Sequence, residues 1–182
     1  QPTDKKSSRL IAFFPLYPVL ISLVGYIIPV AHIYIGIFLS LVFFFLAIYY
    51  IYKITKIDYG EKVATLAVAA CNFVPFSFFY HSVYTDSLFL FLSVATFYCA
   101  RKGNWWVSGI FAGLAFLDRF AGLALVPGLF IEWYLQNRGK RTFSVKYFRK
   151  TGLIAITLCF SGLIAYMAYL QIFHDNWLLF QK

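Results

Sequence analysis

Charged side chains are scarce in this sequence. They make up 13% of its 182 residues, whereas 62% are hydrophobic. A soluble domain carries about 25% charged and about 45–50% apolar residues. A single core in a chain of this length cannot bury so much apolar side chain. The composition therefore excludes an ordinary soluble domain and predicts that lipid is the solvent for most of the surface.

Acidic residues are rarer still, with seven Asp and Glu against sixteen Lys and Arg and a net charge of +9. Eleven of the sixteen basic residues lie in three segments, 53–62, 101–102 and 136–150. Basic clusters between apolar runs are typical of cytoplasmic loops in membrane proteins. The excess of basic residues thus indicates which loops face the cytoplasm, where anionic lipid also attracts them. We predict no nucleic-acid partner.

Cysteines are too few for a disulfide framework. Cys71, Cys99 and Cys159 each stand alone in an apolar run, as small buried residues do. Neither these nor the three histidines have metal-ligand spacing, so we predict no metal site. The polar start QPTDKKSSR is not a signal peptide and no initiator Met opens the chain, so we expect an internal fragment of a longer protein.

Apolar runs separated by polar clusters predict an all-α, polytopic integral membrane helical bundle. A helix needs about 20 residues to cross ~30 Å of hydrocarbon, and aromatic flanks extend the shorter runs. We predict one transmembrane domain over 1–182, with about six spanning helices. The segment 16–30 is short and enters through two prolines, which favours a re-entrant or interfacial helix over a full crossing. The predicted runs are Leu16–Val30, Ile33–Tyr52, Val63–Phe79, Leu88–Ala100, Trp105–Leu117, Ala121–Leu135 and Gly152–Phe173.

The alternation of loops collects reactive side chains on one side of the membrane. If the basic loops are cytoplasmic, three acids, Asp58, Glu61 and Glu132, fall inside. Four acids and all three histidines fall outside: Asp4, Asp86, Asp118, Asp175, His32, His81 and His174. This asymmetry is the main functional signal of the sequence.

The first candidate site is the polar interruption YHSVYTDS (80–87) between two apolar runs. Asp86 could simply cap the helix that follows, because its carboxylate suits free N–H groups and the helix dipole. Capping does not explain why His81, Tyr84 and Thr85 accompany it. These side chains indicate the lining of a polar pocket at the membrane edge.

The second candidate site is LAFLDRFAGLAL (114–125). Asp118 and Arg119 could form a self-neutralising pair, with Gly122 permitting a tight turn. Alternatively, Arg119 offers its planar fork to the phosphate of a lipid whose tail lies in the membrane. Elsewhere, Glu132 is expected to snorkel or to pair with Arg138.

The third candidate is FFPLYP (13–18). Its aromatic residues are either an interfacial belt, which is the favoured interpretation, or a wall for a sugar ring or prenyl chain.

Together these stretches resemble the membrane mannosyltransferases related to PIG-V. The resemblance rests on AFFPLYPVLISL (12–23), residues 73–135 with the turn YTDSLF, and HDNWLLFQK (174–182). It implies the glycosyltransferase C fold and transfer of a sugar, mannose by the family's name, from a polyprenyl- or dolichyl-phosphate carrier. Asp86 matches the acidic position of the family's Tyr-Thr-Glu/Asp-Ser turn, and Arg119 matches the arginine of its later turn. Asp118 departs from the Thr or Leu-like residue usual there.

The resemblance also implies what to expect around the site. Relatives carry a Trp-Asp loop before FFPLYP whose aspartate is the catalytic base, so we expect the base upstream of this chain. The substrate-binding residues are then Asp86, Arg119, His81, Tyr84 and Asp118. The partners are a lipid-linked sugar donor, membrane lipid and a glycan, glycolipid or protein acceptor, and no cofactor is fixed, although a divalent cation fits the chemistry. The membrane is a prokaryotic plasma membrane or the endoplasmic reticulum.

Two other functions compete with glycosyl transfer. A transporter or flippase with an outward cavity would more often carry charges at helix centres, and these are nearly charge-free here. A non-catalytic scaffold would leave the four outer acids unexplained.

Overall fold

The computed structural model describes residues 16–73, 82–138 and 145–174, and every regular element in these ranges is helical. A short 3-10 turn, Phe120–Ala124, connects the fifth and sixth helices. The helices are α1 (Leu16–Ile27), α2 (His32–Tyr59), α3 (Glu61–Phe73), α4 (Asp86–Arg101), α5 (Trp105–Asp118), α6 (Leu125–Arg138) and α7 (Val145–His174). Each predicted apolar run overlaps one of these helices, and positions 74–79 of the third run lie outside the described residues.

Helix α2 is the membrane-span candidate. Its 28 residues extend about 42 Å at 1.5 Å per residue, more than the ~30 Å hydrocarbon layer. Within the described ranges it is the one helix both long and apolar enough to cross, with a mean hydropathy of 2.3 in its best window. The prediction ended this helix at Tyr52, but it continues to Tyr59 and stops at Gly60, which has φ of 85°. In this last part of the helix, the ammonium groups of Lys53 and Lys56 lie over tyrosine rings one turn earlier, and long lysine side chains can run along such apolar surface.

Helix α1 is too short to cross. Its 12 residues cover about 18 Å, so its length suits the predicted re-entrant or interfacial helix, whose position in the membrane stays a prediction. Tyr17 at its start is buried, and its hydroxyl lies 2.9 Å from the Gly36 carbonyl and 2.7 Å from Ser40 Oγ of α2. The belt interpretation is therefore wrong for Tyr17, and Phe13 and Phe14 lie outside the described residues.

Helices α4 and α5 form an antiparallel hairpin around the core. Its turn contains Gly103 at φ of 81°, and the Ser108 hydroxyl donates to the Thr96 carbonyl across the pair at 2.9 Å. The core combines side chains of α1, α4, α5, α6 and α7, among them Leu88, Leu92, Trp105, Ala112, Leu129 and Cys159. The antiparallel arrangement puts Asp86 and Asp118 at one end of the hairpin and Arg101 at the other.

Helices α5 and α7 approach closely because small residues face each other. A Cβ on Gly109 would lie 2.8 Å from the Ala155 Cα, and one on Gly113 would lie 2.8 Å from the Leu158 carbonyl oxygen. A Cβ on Gly162 would overlap the Gly113 carbonyl. Such contacts are typical of helices packed in lipid, where close backbone approach replaces the hydrophobic driving force.

The described helix ends meet in two groups at opposite ends of the bundle. Val83, in the turn before α4, packs on Gly36 near the start of α2, where an added Cβ would lie 2.6 Å from Val83 Cγ1. At the other end, Arg101 reaches Asp58 after α2 and Glu132 of α6. Which end faces the cytoplasm stays a prediction.

Candidate functional site

The turn before α4 places two polar side chains, those of Thr85 and Asp86, next to each other. The helix begins at Asp86, and Thr85 at the capping position forms no side-chain cap hydrogen bond. The capping interpretation of Asp86, for a helix beginning at Leu88, is therefore wrong. Its carboxylate still lies in the first turn, where the helix dipole favours negative charge.

At the end of α5, the backbone directs Arg119 towards Thr85 and Asp86. Arg119 leaves the helix in an extended conformation, with φ of −153° and ψ of 146°. The following 3-10 turn folds back so tightly that a Cβ on Gly122 would lie 2.5 Å from the Phe116 backbone nitrogen. Gly122 is thus required by close approach, not by the left-handed conformation found at Gly60 and Gly103.

The Arg119 guanidinium joins the two helices. Its Nη1 lies 2.8 Å from Asp86 Oδ1 and its Nε donates to Thr85 Oγ1 at 2.7 Å. The guanidinium carbon sits 6.0 Å from the centre of the Phe89 ring, within cation–π range. These contacts use two of the five N–H donors of arginine. The Arg119 side chain is 36% exposed, so the guanidinium is not sealed inside the protein.

Asp118, the last residue of α5 and the neighbour of Arg119, is 1% exposed. No described residue donates a hydrogen bond to either of its carboxylate oxygens. The self-neutralising pair is therefore wrong, since Arg119 pairs with Asp86 although Asp118 is its neighbour in sequence. An unsatisfied buried carboxylate is expensive, so this position requires an explanation beyond packing. We call Thr85, Asp86, Asp118 and Arg119 the Arg119 cluster.

The structure brings together three of the five predicted site residues: Asp86, Asp118 and Arg119. Tyr84 lies one residue before Thr85 and is exposed, and its place in the site stays a prediction. His81 lies outside the described residues, as do Asp4 and Asp175.

One member of the Arg119 cluster, Thr85, was missing from the predicted set of five, and the buried Ser87 next to Asp86 was outside that set as well. Thr85 accepts from Arg119, and the quoted turn contained it only as a lining residue. Ser87 is fully buried, and no described residue bonds to its hydroxyl. The sequence held no separate signal for Ser87, because a serine after a first-turn aspartate is ordinary at a helix start.

Comparison with protein families gives one match that covers most of the chain. Residues 12–166 match the family described as dolichyl-phosphate-mannose-protein mannosyltransferase. The chain belongs to this family. No curated protein and no solved structure matches it.

Membership makes the chain a glycosyltransferase of the membrane-integral, glycosyltransferase C type, with a mannosyltransferase family signature. The predicted enzyme class, membrane location and all-α fold are confirmed at this level. The PIG-V-like subfamily is narrower than the matched family and stays a proposal, as does the number of membrane crossings.

This mannosyltransferase chain carries a second charged cluster at the opposite end of α4. Arg101 Nη1 lies 2.7 Å from Asp58 Oδ1, and Arg101 Nε lies 2.8 Å from Glu132 Oε1. Gln136 Nε2 donates to the same Glu132 oxygen at 2.7 Å and to the Ala100 carbonyl at 3.0 Å. Glu132 is buried and does not snorkel. It forms an ion pair with Arg101, and the side chain of Arg138, the predicted partner, lies outside the described residues. We call Asp58, Arg101, Glu132 and Gln136 the Arg101 cluster.

A metal centre finds no support in the described ranges. They contain no group of three His, Cys, Asp or Glu side chains that could hold an ion. The chemistry of the Arg119 cluster is that of a cationic fork between carboxylates.

Proposed function

We propose that the chain is part of a multi-pass membrane mannosyltransferase that takes mannose from a polyprenyl- or dolichyl-phosphate carrier. The acceptor lies on the extracytoplasmic or lumenal face. The family description names such a donor, and the Arg119 cluster is the arrangement that suits it. The observation that carries the proposal is a partly exposed guanidinium held beside a buried carboxylate with no described hydrogen-bond donor.

Arg119 would bind the carrier phosphate. In the transfer, the bond between mannose C1 and the phosphate oxygen breaks, and its electron pair stays on the phosphate. The acceptor oxygen forms the new bond to C1 and gives its proton to a carboxylate base. A guanidinium matches two phosphate oxygens at once, and it stabilises the charge that develops as the phosphate leaves.

The aspartates would handle hydroxyl groups. Asp86 fixes the Arg119 fork with one oxygen and can orient a sugar, acceptor or cation. Asp118 has two buried oxygens that no described residue bonds. A carboxylate is a strong acceptor for hydroxyl donors, and a substrate hydroxyl would reach this one once the site opens on binding. Tyr84 and His81 would line the approach. None of the five residues is assigned as the base.

The subfamily and the acceptor complete the proposal. The YTDSLF turn and the FFPLYP phrase favour a PIG-V-like enzyme, for which a glycolipid acceptor competes with the protein acceptor of the family description. Transfer of label from the same donor to a glycolipid fraction or to a protein fraction separates the two. The transporter alternative has no support from the family match.

A matched pair of arginine variants tests the function. The full-length protein in membranes is incubated with labelled polyprenyl-phosphate mannose and acceptor. Arg119→Ala is expected to lower transfer at least about tenfold, because it removes one group that stabilises developing charge. Arg101→Ala also removes an ion-paired arginine of α4–α5, but at the opposite end, and the folded fraction should retain its turnover. Undiminished transfer by Arg119→Ala would eliminate the phosphate role.

A further inference from the structure

A groove opens between α2 and α3, away from the Arg119 cluster. It has a volume of about 240 Å³ and is lined by Phe45, Ile48, Tyr49, Tyr52 and Val68. The four α2 residues follow the i, i+3, i+4, i+7 spacing of a single helix face. Phe45 is 72% exposed, so the groove is open to whatever surrounds the helix pair. On a helix long and apolar enough to cross a membrane, the surroundings are lipid chains.

Basic groups lie at one end of this groove. Lys53 Nζ sits 5.2 Å from the centre of the Tyr49 ring, and Lys56 Nζ sits 5.5 Å from the Tyr52 ring. Both rings line the groove. Lys53 lies about 12 Å beyond Phe45 along the axis, from eight residues at 1.5 Å each. The groove is therefore apolar along its length and cationic at its mouth.

The acids of this end already have partners. Asp58 pairs with Arg101, and Glu61 pairs with Lys56 at 3.0 Å. Lys53 forms no ion pair with any residue that the structure describes. Its ammonium lies over the ring of Tyr49, which lines the groove, and a cation–π contact leaves all three ammonium donors for an anion.

We propose that this groove binds one anionic glycerophospholipid, with its phosphate at Lys53 and an acyl chain along Phe45, Ile48 and Val68. An ammonium beside an apolar channel complements a lipid with a charged head and an apolar tail. The site lies at the end opposite the Arg119 cluster, so the occupant is a structural lipid and not the sugar donor. The inference needs only that α2 lies in a membrane, and it stands whether or not the proposed transfer is right.

Native mass spectrometry of the purified full-length protein tests the site. The protein is titrated with phosphatidylglycerol and with phosphatidylcholine of the same acyl chains. We expect phosphatidylglycerol to bind more tightly, and Lys53→Gln to weaken it about fivefold. Lys102→Gln is the matched control, because Lys102 also lies over a tyrosine ring, Tyr98 at 6.0 Å, but away from the groove. It should change binding less than about twofold.

A second pair of variants tests the apolar part. Val68→Phe fills the groove and should weaken both lipids, whereas Leu66→Phe on the same helix, at a side chain 69% exposed, should weaken neither. Circular dichroism confirms that each variant is folded, and Lys53→Arg should restore binding if charge is what matters. Equal affinity for the two lipids, or an equal loss in Lys102→Gln and Lys53→Gln, would overturn the proposal.

Discussion

The two charged clusters at opposite ends of α4 contain the same kinds of charged side chain and differ in how their carboxylates are paired. Each combines one arginine with two carboxylates across helices that are distant in sequence. In the Arg101 cluster both carboxylates meet the arginine, and Gln136 adds a further bond to Glu132. In the Arg119 cluster one carboxylate meets the arginine, and the other, Asp118, receives no hydrogen bond from a described residue.

The difference separates a structural cluster from a binding one. Bonds between the arginine and both carboxylates offset the cost of taking these charges from water, and the result fixes the ends of α2, α4 and α6. An unsatisfied buried carboxylate costs stability that packing does not return. Groups kept at such a cost are candidates for a site whose partner arrives with the substrate.

The largest expected effect comes from reversing the Arg119 pair. Asp86→Arg combined with Arg119→Asp keeps one ion pair between the same helices but moves the cation to α4. Transfer should fall about 100-fold, because donors aimed at the developing charge are displaced. The unfolding midpoint should recover most of what either single variant loses. If the double variant recovered activity together with stability, the role of Arg119 would be only to stabilise the fold through its ion pair.

Breaking the Arg101 cluster should have the next largest effect, and on stability. Arg101→Ala leaves Glu132 buried without its cation, at a cost of about 2 kcal/mol in unfolding free energy. Denaturant unfolding in detergent measures it. Adding Glu132→Leu removes the stranded charge and should return much of the loss. If the double variant is no more stable than Arg101→Ala, the pairing of Arg101 with Glu132 is not what holds this end.

Replacing Asp118 by leucine sharpens the contrast. Asp118→Leu removes a buried carboxylate that no described residue bonds, so the unfolding free energy should stay the same or rise by about 1 kcal/mol. Transfer should nevertheless fall about tenfold, because an acceptor for a substrate hydroxyl is lost. The matched change at the other end, Glu132→Leu alone, should destabilise. A loss of stability in Asp118→Leu would mean that this carboxylate has a structural partner.

The sequence predicted the helices and the grouping of their ends, because hydropathy and charge are local signals. It placed positions 86 and 119 on one side from loop alternation alone, and the structure joins them at 2.8 Å. The same reasoning stopped α2 too early, since it treated the lysines after Tyr52 as loop residues. In the structure their ammonium groups lie over tyrosine rings one turn earlier, within the helix.

The pairing of charges could not be predicted from the sequence. Adjacent residues suggested Asp118 with Arg119, but successive side chains diverge by about 100° around a helix, and Arg119 already lies in extended backbone. The Glu132 partner is 31 positions away in Arg101, and only the packing of α4 on α6 brings them together. Such pairs depend on tertiary contacts that no short-range pattern records.

Breaking the exposed ion pair of Lys56 and Glu61 should have the smallest effect on stability. It gives a reference for the contribution of the ion pairs in the two clusters. The hydrogen bond from Lys56 lowers the pKa of Glu61 from its ordinary value of 4.5. The folded pKa is below the unfolded one, so the pair stabilises the fold above pH 4.5 and its contribution is lost as the pH falls through the folded value. Glu61→Gln should lower the unfolding midpoint slightly at neutral pH and low ionic strength. In about 1 M salt, where exposed charges are screened, it should leave the midpoint unchanged. Glu132→Gln at the buried pair should lower the unfolding midpoint equally at low and high salt. If the effect of Glu61→Gln were also independent of salt, exposure would not distinguish the two kinds of ion pair.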